Sequence, residues 1–306
     1  MSKKTIAIIA GAAVAVIAVA IALVFVFSKG NSYRLLKLFQ FEGTGTVTRE
    51  NKGDITPYAN MVLESGDTIS LDTGIMTIQA DDDKFITLDE HTTIKLVATG
   101  TSEHSKTQIE LLEGGITSDI RNKLSADSTY EINTPNSAMS VRGTVFYTYV
   151  YEDPETKIKY TRVLCLQGTV ATRLVYKDGT VSTEEVLVPV GKEITIYEDA
   201  TTTDYLYSEP KEIDFNSLPD EELINLKKKI EEEEQELCIT SPEIDRILYG
   251  PYYVTFTYNG QVFGTQEVAS GNLAQIPSLS PAPTGKWAYD FTQPITRDVT
   301  IEWTEE

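Results

Sequence analysis

The segment that most constrains this chain is its apolar run from Ile6 to Phe27. It is 22 residues without a charged or polar side chain, interrupted only by Gly11. As a helix it would reach about 33 Å, enough to cross a hydrocarbon core of ~30 Å. A cleaved secretory signal has an apolar core of only ~7–15 residues followed by a small-x-small site. Here the run is longer and ends Phe25-Val26-Phe27-Ser28. A buried soluble helix would have to be apolar on every face. The expectation is an uncleaved signal-anchor: a single transmembrane helix over residues 6–27 in contact with the lipid bilayer, behind a cytoplasmic tail of residues 1–5. Lys3, Lys4 and the terminal amine favour the N-terminus inside, weakly opposed by Lys29, Arg34 and Lys37. The bulk of the chain is therefore expected outside the cell membrane.

Beyond this run, residues 33–207 carry short alternating stretches rich in Thr, Val, Ile and Tyr. Examples are Thr68-Ile69-Ser70-Leu71, Phe85-Ile86-Thr87-Leu88, Thr93-Ile94-Lys95-Leu96-Val97, Ile109-Glu110-Leu111-Leu112, Val163-Leu164-Cys165-Leu166 and Glu193-Ile194-Thr195-Ile196-Tyr197. Period-two alternation of such residues predicts half-buried strands. A turn-then-strand phrase recurs at Gly66, Gly114-Gly115, Gly168 and Gly191 at irregular spacing, which fits a coiled or roll-like all-β body rather than a fixed-period repeat.

Residues 208–249 change character. Ser217-Leu218-Pro219-Asp220 resembles a helix start, and Leu223, Leu226, Ile230 and Leu237 recur near heptad spacing. The expectation is an acidic, solvated helical linker, with a homodimer seam along residues 217–237 as the sharper alternative. Thr240-Ser241-Pro242-Glu243 opens a second helical turn. Residues 250–306 return to β, with Asn259-Gly260 between alternating runs as a hairpin signal.

The chain has 26 Lys plus Arg against 46 Asp plus Glu, a net charge of −20. Phosphate-backbone binding depends on Lys and Arg, so nucleic acid is not an expected partner. Residues 209–249 carry −8 of this charge, which suggests a device that keeps the linker extended. Two Cys and two His leave no Cys-rich metal framework or histidine centre. Asp81-Asp82-Asp83 lacks the EF-hand pattern and reads as a solvated turn rather than a calcium loop. His91 and His104 read as surface residues. Cys165 and Cys238 could pair in an oxidising compartment, which their separation alone does not decide. No phosphate loop or nucleophile elbow is present. No cofactor is expected, and a non-enzyme is expected.

One phrase is more specific. Thr134-Pro135, then Val141-Arg142-Gly143-Thr144-Val145-Phe146, resembles the signature of FecR-type domains. Leu63-Glu64-Ser65-Gly66-Asp67-Thr68-Ile69, Leu112-Glu113-Gly114-Gly115-Ile116, Leu166-Gln167-Gly168-Thr169-Val170 and Val190-Gly191-Lys192 are similar to the family's other strand entries, so that the resemblance covers about residues 33–198. The signature residues Thr134, Pro135, Val141, Arg142, Gly143, Thr144 and Phe146 are expected to be structural. Arg142, between apolar positions, is expected partly buried with a carboxylate or carbonyl partner. Val254-Thr255-Phe256-Thr257-Tyr258-Asn259-Gly260 and the closing Tyr289–Trp303 phrase resemble an internalin-type B-repeat, which implies a small β-grasp-like module.

The best-known FecR-type proteins relay an external signal to a cytoplasmic sigma factor. The short tail expected here argues against carrying that role over whole. The expected function is non-catalytic binding, scaffolding or sensing at a bacterial cell envelope, through an envelope protein or cell-wall glycan. The alternative is a signalling component that acts through a membrane partner.

Overall fold

The computed structural model describes residues 34–101, 103–198, 204–278 and 284–305. The expected helix over 6–27 and the tail before it lie outside these residues. Among the described residues no helix is long and apolar enough to cross a membrane. The expected architecture is corrected accordingly: the described fold is mainly β, with two short helices that pack on it.

The β body runs through β1 (Leu36–Arg49), β2 (Gly53–Ile55), β3 (Thr68–Ala80), β4 (Lys84–Leu88), β5 (Thr92–Gly100), β6 (Ser105–Ile120), β7 (Thr129–Asn133) and β8 (Ser137–Val141). It continues through β9 (Val145–Glu152), β10 (Lys159–Gln167), β11 (Thr169–Leu174), β12 (Val186–Pro189), β13 (Lys192–Glu198), β14 (Tyr205–Tyr207) and β15 (Lys211–Glu212). Pairing is antiparallel except for β6 with β7. The first half of β6 pairs with β5 and β7, and the second half pairs with β4 and β9. One long strand thus serves two layers. The switch falls at Gly114, whose φ of +85° and closeness to the Thr92 backbone leave no room for a Cβ.

The main core lies between the layers. Leu38, Ile69, Ile78, Ile94, Leu111, Ile132, Val163 and Ile194 are all fully buried there. The alternation read from the sequence is the inward face of these strands. In β9 and β10 the opposite face is buried too. Val145, Tyr147, Leu164 and Leu166 belong to a second cluster, shared with Leu218, Leu223, Leu226, Ile239, Ile244 and Ile247.

Those last residues come from the segment expected to be a solvated linker, and this is the second correction. After a 3-10 turn at Phe215–Ser217, α1 (Asp220–Glu231) and α2 (Ser241–Tyr249) lie across the outer face of β9 and β10. Leu223 and Leu226 are fully buried, at ~1.5–3 kcal/mol each. The apolar seam proposed for a homodimer is therefore used within the chain. Asp220, Glu221 and Glu231 are exposed while Glu222 is buried against the sheet, so the charge density of the segment does not mean that it is extended. The Thr240–Glu243 capping box forms as expected and starts α2.

The C-terminal module is a four-stranded mixed sheet of β16 (Tyr252–Tyr258), β17 (Gln261–Val268), β18 (Lys286–Trp287) and β19 (Val299–Thr304). Asn259 and Gly260 take positive φ in the expected β16–β17 hairpin. Phe256, Trp287 and Ile301 fill its core. Arg246 of α2 makes two bonds to Asp298 at 3.2 and 2.9 Å, and Arg297 bonds Asp220 of α1, so the module is tied to the helices.

Candidate functional site

The signature residues divide between two places. Thr134 and Pro135 form the turn between β7 and β8. Thr134 is buried in a hydroxyl network: its Oγ1 donates to Asn136 Oδ1 at 3.1 Å, and Thr161 Oγ1 donates to the same oxygen at 2.6 Å. Asn136 is buried as well, and Pro135 is exposed. Phe146 and Val141 are in the main core. Thr134, Val141 and Phe146 are thus buried, and Pro135 is not.

Val141 to Thr144 form the bend that leaves β8. Gly143 has φ of +129°, and a Cβ there would lie 3.3 Å from the Lys123 Cα. Backbone bonds hold both sides of the bend: Leu124 N–H donates to the Arg142 carbonyl at 3.2 Å and Ile120 N–H to the Thr144 carbonyl at 3.1 Å. Thr144 Oγ1 donates to the Thr169 carbonyl at 3.2 Å. Arg142 itself is exposed. The expected partly buried arginine with a protein partner is corrected: Met139 and Val141 point into the core, so the strand's alternation places Ser140 and Arg142 outward. Arg142 and Lys123 line one cavity of ≈ 320 Å³ with Gly143, Thr144, Thr169 and Arg121. Arg142 and Thr169 also line a neighbouring cavity of ≈ 590 Å³ along β8 and β11.

A second constellation, not anticipated from the sequence, lies where α1 meets the sheet. Tyr147 O–H donates to Asp89 Oδ2 at 2.6 Å, and Thr117 Oγ1 donates to Glu222 Oε1 at 2.5 Å. Gly115 leaves room for the first bond, since a Cβ there would meet both Asp89 Oδ2 and the Tyr147 hydroxyl. Asp89 Oδ1 and Glu222 Oε2 have no bonding partner among the described residues. Burial pushes the Asp89 carboxyl up to about 6 against the Tyr147 bond, which lowers it. Burial and the neighbouring Asp89 charge hold the Glu222 carboxyl well above the usual range. Burial also raises the Tyr147 hydroxyl. Beside them, buried Asp119 accepts from Arg121 at 3.1 Å and Gln235 at 2.9 Å, with Lys229 3.6 Å away. The arrangement places two carboxyls with raised pKa values where α1 meets the sheet. A legible signal existed: Val163-Leu164-Cys165-Leu166 is a continuous apolar run, the mark of a strand covered on both faces.

The remaining candidates fall as follows. Asp81 is buried at the β3–β4 turn and bound by Arg34 at 2.7 and 3.1 Å, with Lys84 at 3.3 Å, so this first residue of the acidic triplet is not solvated. His91 and His104 are exposed. Cys165 and Cys238 are free thiols, although Cys238 Sγ lies 3.8 Å from the Cys165 carbonyl oxygen. Burial pushes the Cys165 thiol up to about 12 and raises Cys238 too. Among the described residues no group of three or more His, Cys, Asp or Glu is placed to hold a metal ion. Tyr147, Tyr149, Tyr151, Tyr160 and Tyr197 stack in a row with ring centroids 5.0–6.4 Å apart. The rings face one another, so the row stiffens the sheet rather than presenting open faces to a ligand.

Residues 67–171 match the family model described as FecR protein. The match spans β3 to the middle of β11 and includes the signature bend. No curated protein matches the chain. Two crystal structures from Parabacteroides distasonis ATCC 8503, provisionally described as an anti-sigma factor, match at 11% and 12% identity. Each covers 78% of this chain, and 99% and 98% of theirs, with TM-scores of 0.38 and 0.36. Both superpositions are too loose to define a shared fold.

Proposed function

We propose that this chain is a non-catalytic, FecR-type signalling regulator that works through a protein partner. The FecR match over residues 67–171 carries the reading. It covers the centre of the β body and the bend at Arg142. The resemblance of such domains to relays between an external signal and transcription supplies the class of function. A role at the outer face of the cell membrane is part of the proposal. In it the C-terminal sheet acts as a spacer, as its resemblance to B-repeats implies.

The test is transcript profiling of host cells that lack the chain, before and after its restoration. A regulator changes a small set of promoters, reversed on restoration. Unchanged transcripts, together with co-sedimentation of the purified chain with cell-wall material, would replace this reading with a scaffold. Protease added to intact cells tests the location: digestion of the β body supports it, and protection until lysis overturns it.

A further inference from the structure

The arginines of this chain are distributed unevenly. Every other one, from Arg34 on Asp81 to Arg297 on Asp220, bonds a carboxylate. Arg142 alone has neither a carboxylate nor any other side-chain bonding partner among the described residues. That is notable in a chain with 46 acids and 26 bases, where a free guanidinium would readily find a partner. The bend that presents it is fixed by two backbone bonds, by Thr144 Oγ1 on Thr169, and by Gly143 at a φ of +129° that side chains rarely adopt. The fold thus holds the Arg142 backbone rigidly and makes no use of its side chain. Lys123, packed against Gly143 and also without an ion pair among the described residues, borders the same cavity.

The two cavities that share Arg142 and Thr169 form one trough along β8 and β11. Its walls carry the hydroxyls of Ser128, Thr129, Ser140 and Thr169 and the carboxylates of Glu131 and Glu185, of which Glu185 is bound by Arg173 at 3.0 Å. A guanidinium with five donors and a neighbouring ammonium select carboxylates or phosphates. A long polyanion would also meet the repulsion of a body with a net charge of −20, whereas a short segment brings few charges. We infer that Arg142 and Lys123 anchor a short, extended acidic segment of a partner protein in this trough. The inference rests on the proposed regulatory role for the existence of a protein partner, and the trough itself names the partner's chemistry.

The test is fluorescence anisotropy of a labelled hexaglutamate peptide titrated with the full chain in mild detergent at low salt. Saturable binding is expected, weakening as salt rises. Arg142→Ala with Lys123→Ala should weaken it at least tenfold, and Lys159→Ala should leave it unchanged. Circular dichroism of each variant checks folding, and Arg142→Lys should retain part of the affinity. No binding, or binding unaffected by the double substitution, overturns the inference. Saturable binding of labelled polyphosphate with no hexaglutamate binding overturns it in favour of a phosphate polymer. Anisotropy reads the trough alone and promoter response reads the regulatory role alone. Peptide binding without promoter change retires only the regulatory reading, and promoter change without peptide binding retires only the trough.

Discussion

Replacing Asp89 by Asn removes a carboxyl that the docked helix holds in an unfavourable place. Its ordinary value is 3.8 and the fold pushes it up to about 6. The folded chain therefore binds this proton more tightly than the unfolded chain does. Below about pH 4 the group is protonated in both states and costs nothing. The penalty grows as pH rises between the two values and is complete above the folded one. At 1.36 kcal/mol per unit it amounts to about 3 kcal/mol, a ceiling because Asp89 keeps partial contact with solvent. Asn retains an oxygen that accepts from Tyr147, so the 2.6 Å bond survives the exchange. Urea unfolding of parent and Asp89→Asn, followed by far-UV circular dichroism from about pH 4 to about pH 7.5, isolates the effect. Subtracting the parent curve cancels the carboxyls that do not sense Asp89, and Glu222, relieved of the Asp89 charge, shifts the difference in the same direction. The variant's relative stability should climb by up to about 3 kcal/mol across that range. A difference that stays flat, or that falls as pH rises, would refute the buried-carboxyl account of the helix–sheet junction.

Four further outcomes are expected. Leu226→Ala, at a fully buried position under α1, should cost about 2–5 kcal/mol in urea unfolding, where a solvated linker would lose almost nothing. Asn136→Ala should cost about 1–3 kcal/mol, because it strips partners from Thr134 and Thr161 inside the core; thermal unfolding checks it. Arg142→Ala should leave Tm unchanged, since the side chain packs against nothing that holds the fold. A thiol reagent at mildly alkaline pH should react slowly with Cys165 and Cys238 in the native chain and quickly with both after unfolding, because burial keeps their thiolates scarce.

What was legible in the sequence follows the range of the forces involved. Strand alternation, the Asn259-Gly260 turn and the Thr240–Glu243 capping box are set by neighbours a few residues apart, and all three form as read. The docking of α1 depends on an outer sheet face created by β9 and β10, some 60 residues upstream in a chain whose pairings the sequence does not declare. The charges of α1 hide the apolar stripe that decides its place, and nothing in the run Asp220-Glu221-Glu222 tells that its third acid is buried. Asp81 looked solvated because its partner Arg34 lies 47 residues away. Arg142 misled in the opposite direction. Its apolar neighbours suggest a strand interior, but inward Met139 and Val141 leave Ser140 and Arg142 on the outward phase of the same strand.

The most direct test of the account is a comparison of promoter response in cells that lack the chain. One set is restored with the native chain and the other with the Arg142→Ala, Lys123→Ala variant, at matched protein levels. Restoration by the native chain and failure of the equally abundant variant is the predicted result. Equal restoration by both, or no promoter response to the chain at all, would contradict a regulator that works through a partner held at the signature bend.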